Sequence, residues 1–410
     1  MSAVSSVAAV RAAFPALRRQ HSGKPVAYFD GPGGTQVPQA VVDAMGDYLL
    51  HHNANTHWSY PSSAETDALL QDAREVFAAF TGGDADEISF GNNMTTITFH
   101  VARALGRNWQ TGDEVIVTEL DHHGNIAPWQ ALARERGIVL KWLPLDLDTY
   151  QLRLDELPGL LTPRTRLLAI GAASNIIGTV SDVPTAARLA HDAGALVFVD
   201  GVHLAPHFLP DVAALGCDLF ACSAYKFHGP HIGVLWTRRD LAERLDVPRL
   251  EPAPDTSPER LETGTQNHEG IVGAAAAVRW LASLSGGTGA LRDELAVAYR
   301  EIHGREMTLF RRLWDGLTNI EGVTLYGALP ETKRTATLSF SMRGLDSEEV
   351  ALALVADACF VSNGDFYAST VARLLGKGAA GVVRIGAACY TTGEEIDRVL
   401  AAISKLHTND

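Results

Sequence analysis

The chain has 410 residues, 46% of them hydrophobic and 20% charged, which is ordinary for a globular protein and, at about 150 residues per domain, long enough for two or three domains. Acidic residues outnumber basic ones 48 to 34, and the net charge of −14 argues against a nucleic-acid partner or an anionic membrane surface. No apolar run reaches spanning length and Met1–Val7 lacks the positive region of a secretory leader, so a cytoplasmic location is expected.

From about residue 38 helical patterns alternate with short apolar strands, the first predicted over Glu87–Phe90. Directly after it, Asn92-Asn93-Met94-Thr95-Thr96 offers backbone N–H groups at a helix start, making Asn93, Met94 and Thr95 candidates for a phosphate. An ordinary N-cap would have the same residues, and the sequon at Asn93 is set aside because nothing points to secretion. The strand Glu114–Thr118 leads to Asp121-His122-His123, where an imidazole could stack on a ring and move protons, although adjacent histidines are common loop residues. Strands follow at Val139–Leu143 and Arg166–Ile170.

The strand Leu196–Asp200 then delivers a carboxylate and, just beyond its end, His203. His203 and His207 have the i,i+4 spacing of zinc ligands, but Pro206 breaks the helix that such a pair needs, so no metal is expected. The strand Leu219–Ser223 ends in Ser223-Ala224-Tyr225-Lys226-Phe227-His228-Gly229, which puts one lysine between an apolar strand and a glycine turn. A lysine there can lose its proton near neutral pH and an aspartate at a neighbouring strand end can keep a pyridine ring protonated, the pair of groups that pyridoxal 5'-phosphate requires. Taken alone, Lys226 would be an ordinary solvated lysine; with Asp200 and the phosphate candidates it is a covalent cofactor anchor.

The seventh strand, Gly233–Trp236, completes a mainly parallel α/β sheet, and the proline-rich stretch 247–258 reads as a connector. Beyond it lie long helical patterns with strands at Ala336–Phe340 and Val382–Ile385, a smaller α+β domain. The expected division is 1–25 as a segment packing with the small domain, 26–262 as the large cofactor domain and 263–410 as the small one. Gly376-Lys377-Gly378-Ala379-Ala380-Gly381 formally matches a dinucleotide fingerprint, but it follows a helix and precedes a strand, the reverse of the required context. Cys217, Cys222, Cys359 and Cys389 lack C-x-x-C spacing and read as small buried hydrophobes.

With Asp200-Gly201-Val202-His203, Lys226, Asn175 and Arg384 in this chain, it resembles the class V, fold-type I pyridoxal phosphate enzymes, and among them the cysteine desulfurases. The likeness runs from Phe29-Asp30-Gly31-Pro32-Gly33-Gly34-Thr35 to Arg384-Ile385-Gly386. It implies Lys226 as cofactor anchor, Asp200 as partner of the pyridine nitrogen, Ser223 as a phosphate ligand, and His122 or its neighbour His123 stacked on the ring. It also implies His203 near the phenolic oxygen, where glutamine is common, and Asn175 beside that oxygen and the substrate carboxylate. Arg384 would clamp the carboxylate, and Gly264-Thr265 would reach the phosphate of a partner subunit, making a homodimer with shared sites.

One departure matters more than these matches. The desulfurase pattern Arg-x-Gly-x-x-Cys-Ala corresponds to Ser362-Asn363-Gly364-Asp365-Phe366-Tyr367-Ala368, so Tyr367 stands in place of the persulfide-forming cysteine. A phenol cannot accept sulfane sulfur. The expected reaction is therefore C–S cleavage of an amino acid by elimination, with Lys226 or His122 taking the α-proton and Tyr367 near the substrate. Transamination and epimerisation are the alternatives of the same class, and a non-catalytic cofactor-binding scaffold or sensor is the alternative of another.

Overall fold

The computed structural model describes residues 4–406. Seven strands, β1 (Ile88–Gly91), β2 (Glu114–Thr118), β3 (Val139–Leu143), β4 (Thr165–Gly171), β5 (Leu196–Asp200), β6 (Leu219–Ser223) and β7 (Gly233–Thr237), form one sheet in the order β1-β7-β6-β5-β4-β2-β3. Strands β2 to β6 pair in parallel and β7 is antiparallel to both neighbours, the mainly parallel α/β sheet that the sequence predicts.

The central strands are apolar throughout because both faces are covered. Alternate side chains of β4 to β6 enter two separate cores: Leu168, Ile170, Val197, Val199 and Phe220 on one side, Leu167, Ala169, Phe198, Leu219 and Ala221 on the other. In such a sheet the residues just past the carboxyl ends of the strands share one rim, the customary place for a ligand. Asp121, Asn175, Asp200 and Ser223 all lie on that rim.

A second sheet, β8 (Val323–Tyr326), β9 (Thr337–Met342), β10 (Ser362–Gly364) and β11 (Val382–Gly386), is antiparallel in the order β8-β9-β11-β10. Its core includes Phe310, Leu338, Phe340, Val383, Ile385 and Ile396. The longer helices include α1 (Gln39–Asp47), α2 (Pro61–Thr81), α3 (Met94–Gly106), α4 (His268–Ser283), α5 (Leu291–Thr318) and α6 (Gly393–Leu406).

Helix α4, just past the expected boundary at 262/263, lies against α1 and α2 before it and α5 after it. Its small residues allow the close approach: a Cβ on Gly273 would come within 2.5 Å of Met45. The described part of segment 1–25 touches both bodies. Arg11 donates to the carbonyl of Tyr390 at 2.6 Å and pairs with Glu395, while Phe14 packs edge-on to His228, Trp280 and Tyr390. Among the described residues no helix is long and apolar enough to cross a membrane, and all four cysteines are buried and free.

Candidate active site

A cavity of about 310 Å³ opens at the carboxyl rim of the large sheet. Asn93, Met94, Thr95, His122, Asn175, Asp200, His203, Ser223 and Lys226 line it, so nine residues scattered over 134 positions of sequence converge as expected. Three others do not line it. Thr265 is exposed in the loop before α4, Arg384 is buried beside the cavity under another side chain, and Tyr367 is 74% exposed with its ring 5.6 Å from that of His122.

The start of α3 forms one wall. Asn93 caps the helix by accepting from the Thr96 N–H, and the Met94 N–H donates to Ser223 Oγ at 3.0 Å, tying the helix to the end of β6. Glycine is required at 233, where a Cβ would meet the Asn93 backbone at 2.6 Å. With its oxygen accepting from Met94, Ser223 keeps its own hydroxyl proton to donate. The motif read as a possible N-cap is thus a cap and a cavity wall at once.

Lys226 sits on a single turn after β6, buried, and donates from Nζ to the carbonyls of Pro32 at 2.6 Å and Gly33 at 2.9 Å. Burial first, then the charge of Arg384, lowers its pKa to about 7 against the opposing pull of Asp30 and Asp200. Asp200 is buried at the end of β5, where its Oδ1 accepts from the Val202 N–H at 2.9 Å. Burial raises its pKa to about 7, opposed by that hydrogen bond and by Lys226. An amine whose pKa is lowered and a carboxyl whose pKa is raised, both toward neutrality, share one cavity. The first consequence is measurable on the protein without cofactor. Labelling of Lys226 by trinitrobenzenesulfonate requires the neutral amine, so its rate should rise through a midpoint near pH 7 rather than near the ordinary lysine value of about 10.4. Peptide mapping of the label across a pH series reads this directly, and a midpoint above pH 9 would contradict the buried setting.

The structure separates the two neighbouring histidines. His122 Nδ1 accepts from the Gly124 N–H at 2.8 Å, so its proton resides on Nε2, and burial pushes its pKa down to about 4. His123 turns away from the cavity, its Nε2 2.9 Å from Ser369 Oγ. His203 places Nε2 between the hydroxyls of Thr335 and Thr337 at 3.1 and 3.0 Å. His207 pairs instead with Glu306 at 2.8 Å, so this couple is split between two environments.

Sequence reasoning missed four contributors. Asp121 supports the cavity from behind, accepting from Gly171 N, Thr118 Oγ1 and Asn125 Nδ2, and burial with the nearby Asp200 charge raises its pKa to about 8. Tyr225 and His231 stack at 4.9 Å and close the outer wall; the signal available was their closeness in sequence to Lys226. Asp30 meets Arg384 at 3.3 Å, a contact between segments 354 residues apart.

The donor set fits pyridoxal phosphate and an amino acid. Asn175 Oδ1, His203 Nδ1 and Arg384 Nε are buried polar atoms with no partner among the described residues. Each belongs to a residue expected to touch the cofactor or its substrate. A helix start with a free hydroxyl beside it suits the phosphate, and a buried acid opposite a neutral amine suits the ring.

The family model for class-V aminotransferases matches residues 27–399. The chain belongs to that family. Similar curated proteins include a probable cysteine desulfurase of Mycolicibacterium paratuberculosis, 36% identical over 98% of this chain and 58% of that protein. A cysteine desulfurase of Klebsiella pneumoniae is 34% identical, with 98% of each chain covered. The chain therefore spans less than two thirds of the mycobacterial relative and nearly all of the Klebsiella one. Among solved structures, the apo structure of cysteine desulfurase from Thermococcus onnurineus NA1 superposes with a TM-score of 0.90 at 28% identity, covering both chains completely. Class-V aminotransferases are pyridoxal phosphate enzymes as a family.

Proposed function

We propose that this class-V chain is a pyridoxal phosphate enzyme that cleaves the C–S bond of cysteine or a related thioether amino acid by elimination. The observation that carries the reading is the cavity in which Lys226 and Asp200, both with pKa values near 7, face unpartnered atoms of Asn175 and His203. The cofactor, when bound, supplies a ring that withdraws charge from the substrate's α-carbon. The residues do the rest. Thr95 and Ser223 would offer donors to the phosphate at a helix start that the Met94 N–H, spent on Ser223 Oγ, holds in place, and Asp200 would keep the pyridine nitrogen protonated. Lys226 Nζ, its pKa lowered to about 7, would take the α-proton, and that proton would leave on the departing sulfur while water converts the remaining aminoacrylate to keto acid and ammonia. His122, fixed with its proton on Nε2, would cover the ring, and the unpartnered His203 Nδ1 would serve the phenolic oxygen. Asn175 and Arg384 would hold the substrate carboxylate, and the Tyr367 ring, 5.6 Å from that of His122, is the phenol nearest the cavity's outer side.

Incubation with a panel of amino acids, followed by assays for keto acid, sulfide and pyridoxamine phosphate, tests this reading. Cysteine should yield keto acid with sulfide. Accumulation of pyridoxamine phosphate would instead mean transamination, and spectral change without product would mean a scaffold.

A homodimer with shared sites is part of the proposal. Val42, Leu49, Leu50, Trp58 and Tyr60 are large apolar residues exposed within a span of 19 positions, apolar area that a second copy of the chain would cover. Thr265, exposed and outside its own cavity, is free to serve the partner's phosphate. Sedimentation should therefore give about twice the chain mass of 44.0 kDa. The double variant Leu50→Asp, Trp58→Ser should run as a monomer with its turnover lost. A fully active wild-type monomer would refute the shared site.

A further inference from the structure

Arg384 and Asn175 belong to different domains, yet one residue touches both. The ring of Phe366 lies over the Arg384 guanidinium, 3.9 Å from Cζ, and the Phe366 carbonyl accepts from Asn175 Nδ2 at 2.9 Å. A carbonyl can only accept, so this bond fixes which end of the Asn175 amide is NH₂. It leaves Oδ1 and the second N–H of Asn175 uncommitted. The backbone that brings Phe366 there is strained: Phe366 and Tyr367 have φ of 54° and 56°, consecutive left-handed residues that are not glycine. Such a conformation persists only where its surroundings enforce it. Here the Asn175 amide holds the Phe366 carbonyl and the His123 N–H holds that of Tyr367 at 2.7 Å.

The same contacts decide how Arg384 can bind. Its Nη1 donates to the Asn175 carbonyl at 2.9 Å, and its Nη2 reaches Ser362 Oγ and Asp30 Oδ1, both at 3.3 Å. Phe366 covers one face of the plane, and Nε has no partner among the described residues. The edge formed by Nε and Nη2 is what remains for a planar carboxylate, which meets such an edge with two parallel hydrogen bonds. Asp30, half exposed and at long range, can give way.

We propose that Phe366 is the positioning residue of the carboxylate clamp, its ring setting the plane of Arg384 and its carbonyl setting the amide of Asn175, for a substrate bearing an α-carboxylate. This rests on the assignment of Arg384 to the substrate carboxylate. The negative face of the aromatic ring attracts the cation as well as excluding water from it, so leucine, of similar bulk, cannot replace it and tyrosine can.

The test uses the full-length protein with its cofactor bound, titrated calorimetrically with 3-mercaptopropionate and with the methyl ester of that acid. Wild type should prefer the acid. Phe366→Leu should lose about tenfold in affinity for the acid with the ester unchanged, and Phe366→Tyr should stay within about twofold of wild type. In steady state, Phe366→Leu should raise KM for cysteine with little change in kcat, as loss of uniform binding requires. Phe366→Met, with a flexible side chain in the same place, serves as a second apolar variant, and circular dichroism checks that each variant is folded. If Phe366→Leu and Phe366→Met keep the acid-to-ester preference while Arg384→Lys loses it, Phe366 does not position the clamp. If Arg384→Lys keeps the preference too, or wild type shows none, the clamp assignment itself fails and takes the proposal with it.

Discussion

Lys226→Ala protein should be purified without the yellow colour of the wild type and should process cysteine at least about 10³-fold more slowly, the loss expected when a positioned proton-transfer group is removed. The size of the effect follows from the setting. Lys226 is the lysine among the cavity-lining residues, and no cavity neighbour offers a neutral amine in its place. His122 is neutral as well, but its Nδ1 is committed to Gly124 and its Nε2 carries a proton, so it offers no free lone pair to accept another. Truncation leaves the carbonyls of Pro32 and Gly33 without their donor, a cost of about 1–3 kcal/mol that a domain of this size tolerates. Borohydride reduction of the wild type followed by peptide mapping checks the assignment. Reduced cofactor on any other residue, or substantial turnover by a folded Lys226→Ala protein, would overturn it.

Much of this site is legible in the amino-acid sequence. Strands β5 and β6 match the predicted Leu196–Asp200 and Leu219–Ser223 to the residue, because a strand buried on both faces is an unbroken apolar run and its end is marked by the first polar group. Lys226 and Asp200 follow at once from those ends. The features that stay hidden depend on contacts that local patterns do not encode. The alanine-rich α4 has small side chains whose partners cannot be read from the local pattern, and it packs on α1, α2 and α5. Arg384 carries a legible charge, but its contact with Asp30 joins segments hundreds of residues apart, and its cover by Phe366 depends on a left-handed backbone without glycine. Such a backbone leaves no signature in sequence, since glycine is the residue that normally announces it. Tyr367, expected near the substrate, has an exposed ring that approaches the cavity beside His122.

Cysteine turnover should release free sulfide and pyruvate in equal amounts, with no persulfide on the protein and no stoichiometric alanine. Persulfide formation needs a thiolate poised over the substrate sulfur, and neither the residue at the loop position nor any cysteine meets that need. Tyr367 offers a phenol, which can donate a hydrogen bond or a proton to a departing sulfur but cannot store it. None of the four cysteines lines the cavity. Cys222 is next to Ser223 on β6 and so points to the opposite face of the sheet from that cavity residue. Burial drives the thiols of Cys217, Cys222 and Cys389 far above the usual range and that of Cys359 to about 11. A thiol of that last value is almost wholly un-ionised near neutral pH. Labelling for protein persulfide after incubation with cysteine, together with quantitation of alanine, pyruvate and sulfide, decides the matter. Tyr367→Cys is the informative counterpart: it restores a thiol at the exposed loop position, and the product ratio should move toward alanine and persulfide. Alanine and persulfide from the wild-type protein, on any of its four cysteines, would mean that the loop or a strand moves a thiol into the cavity and that Tyr367 is not what determines the fate of the sulfur.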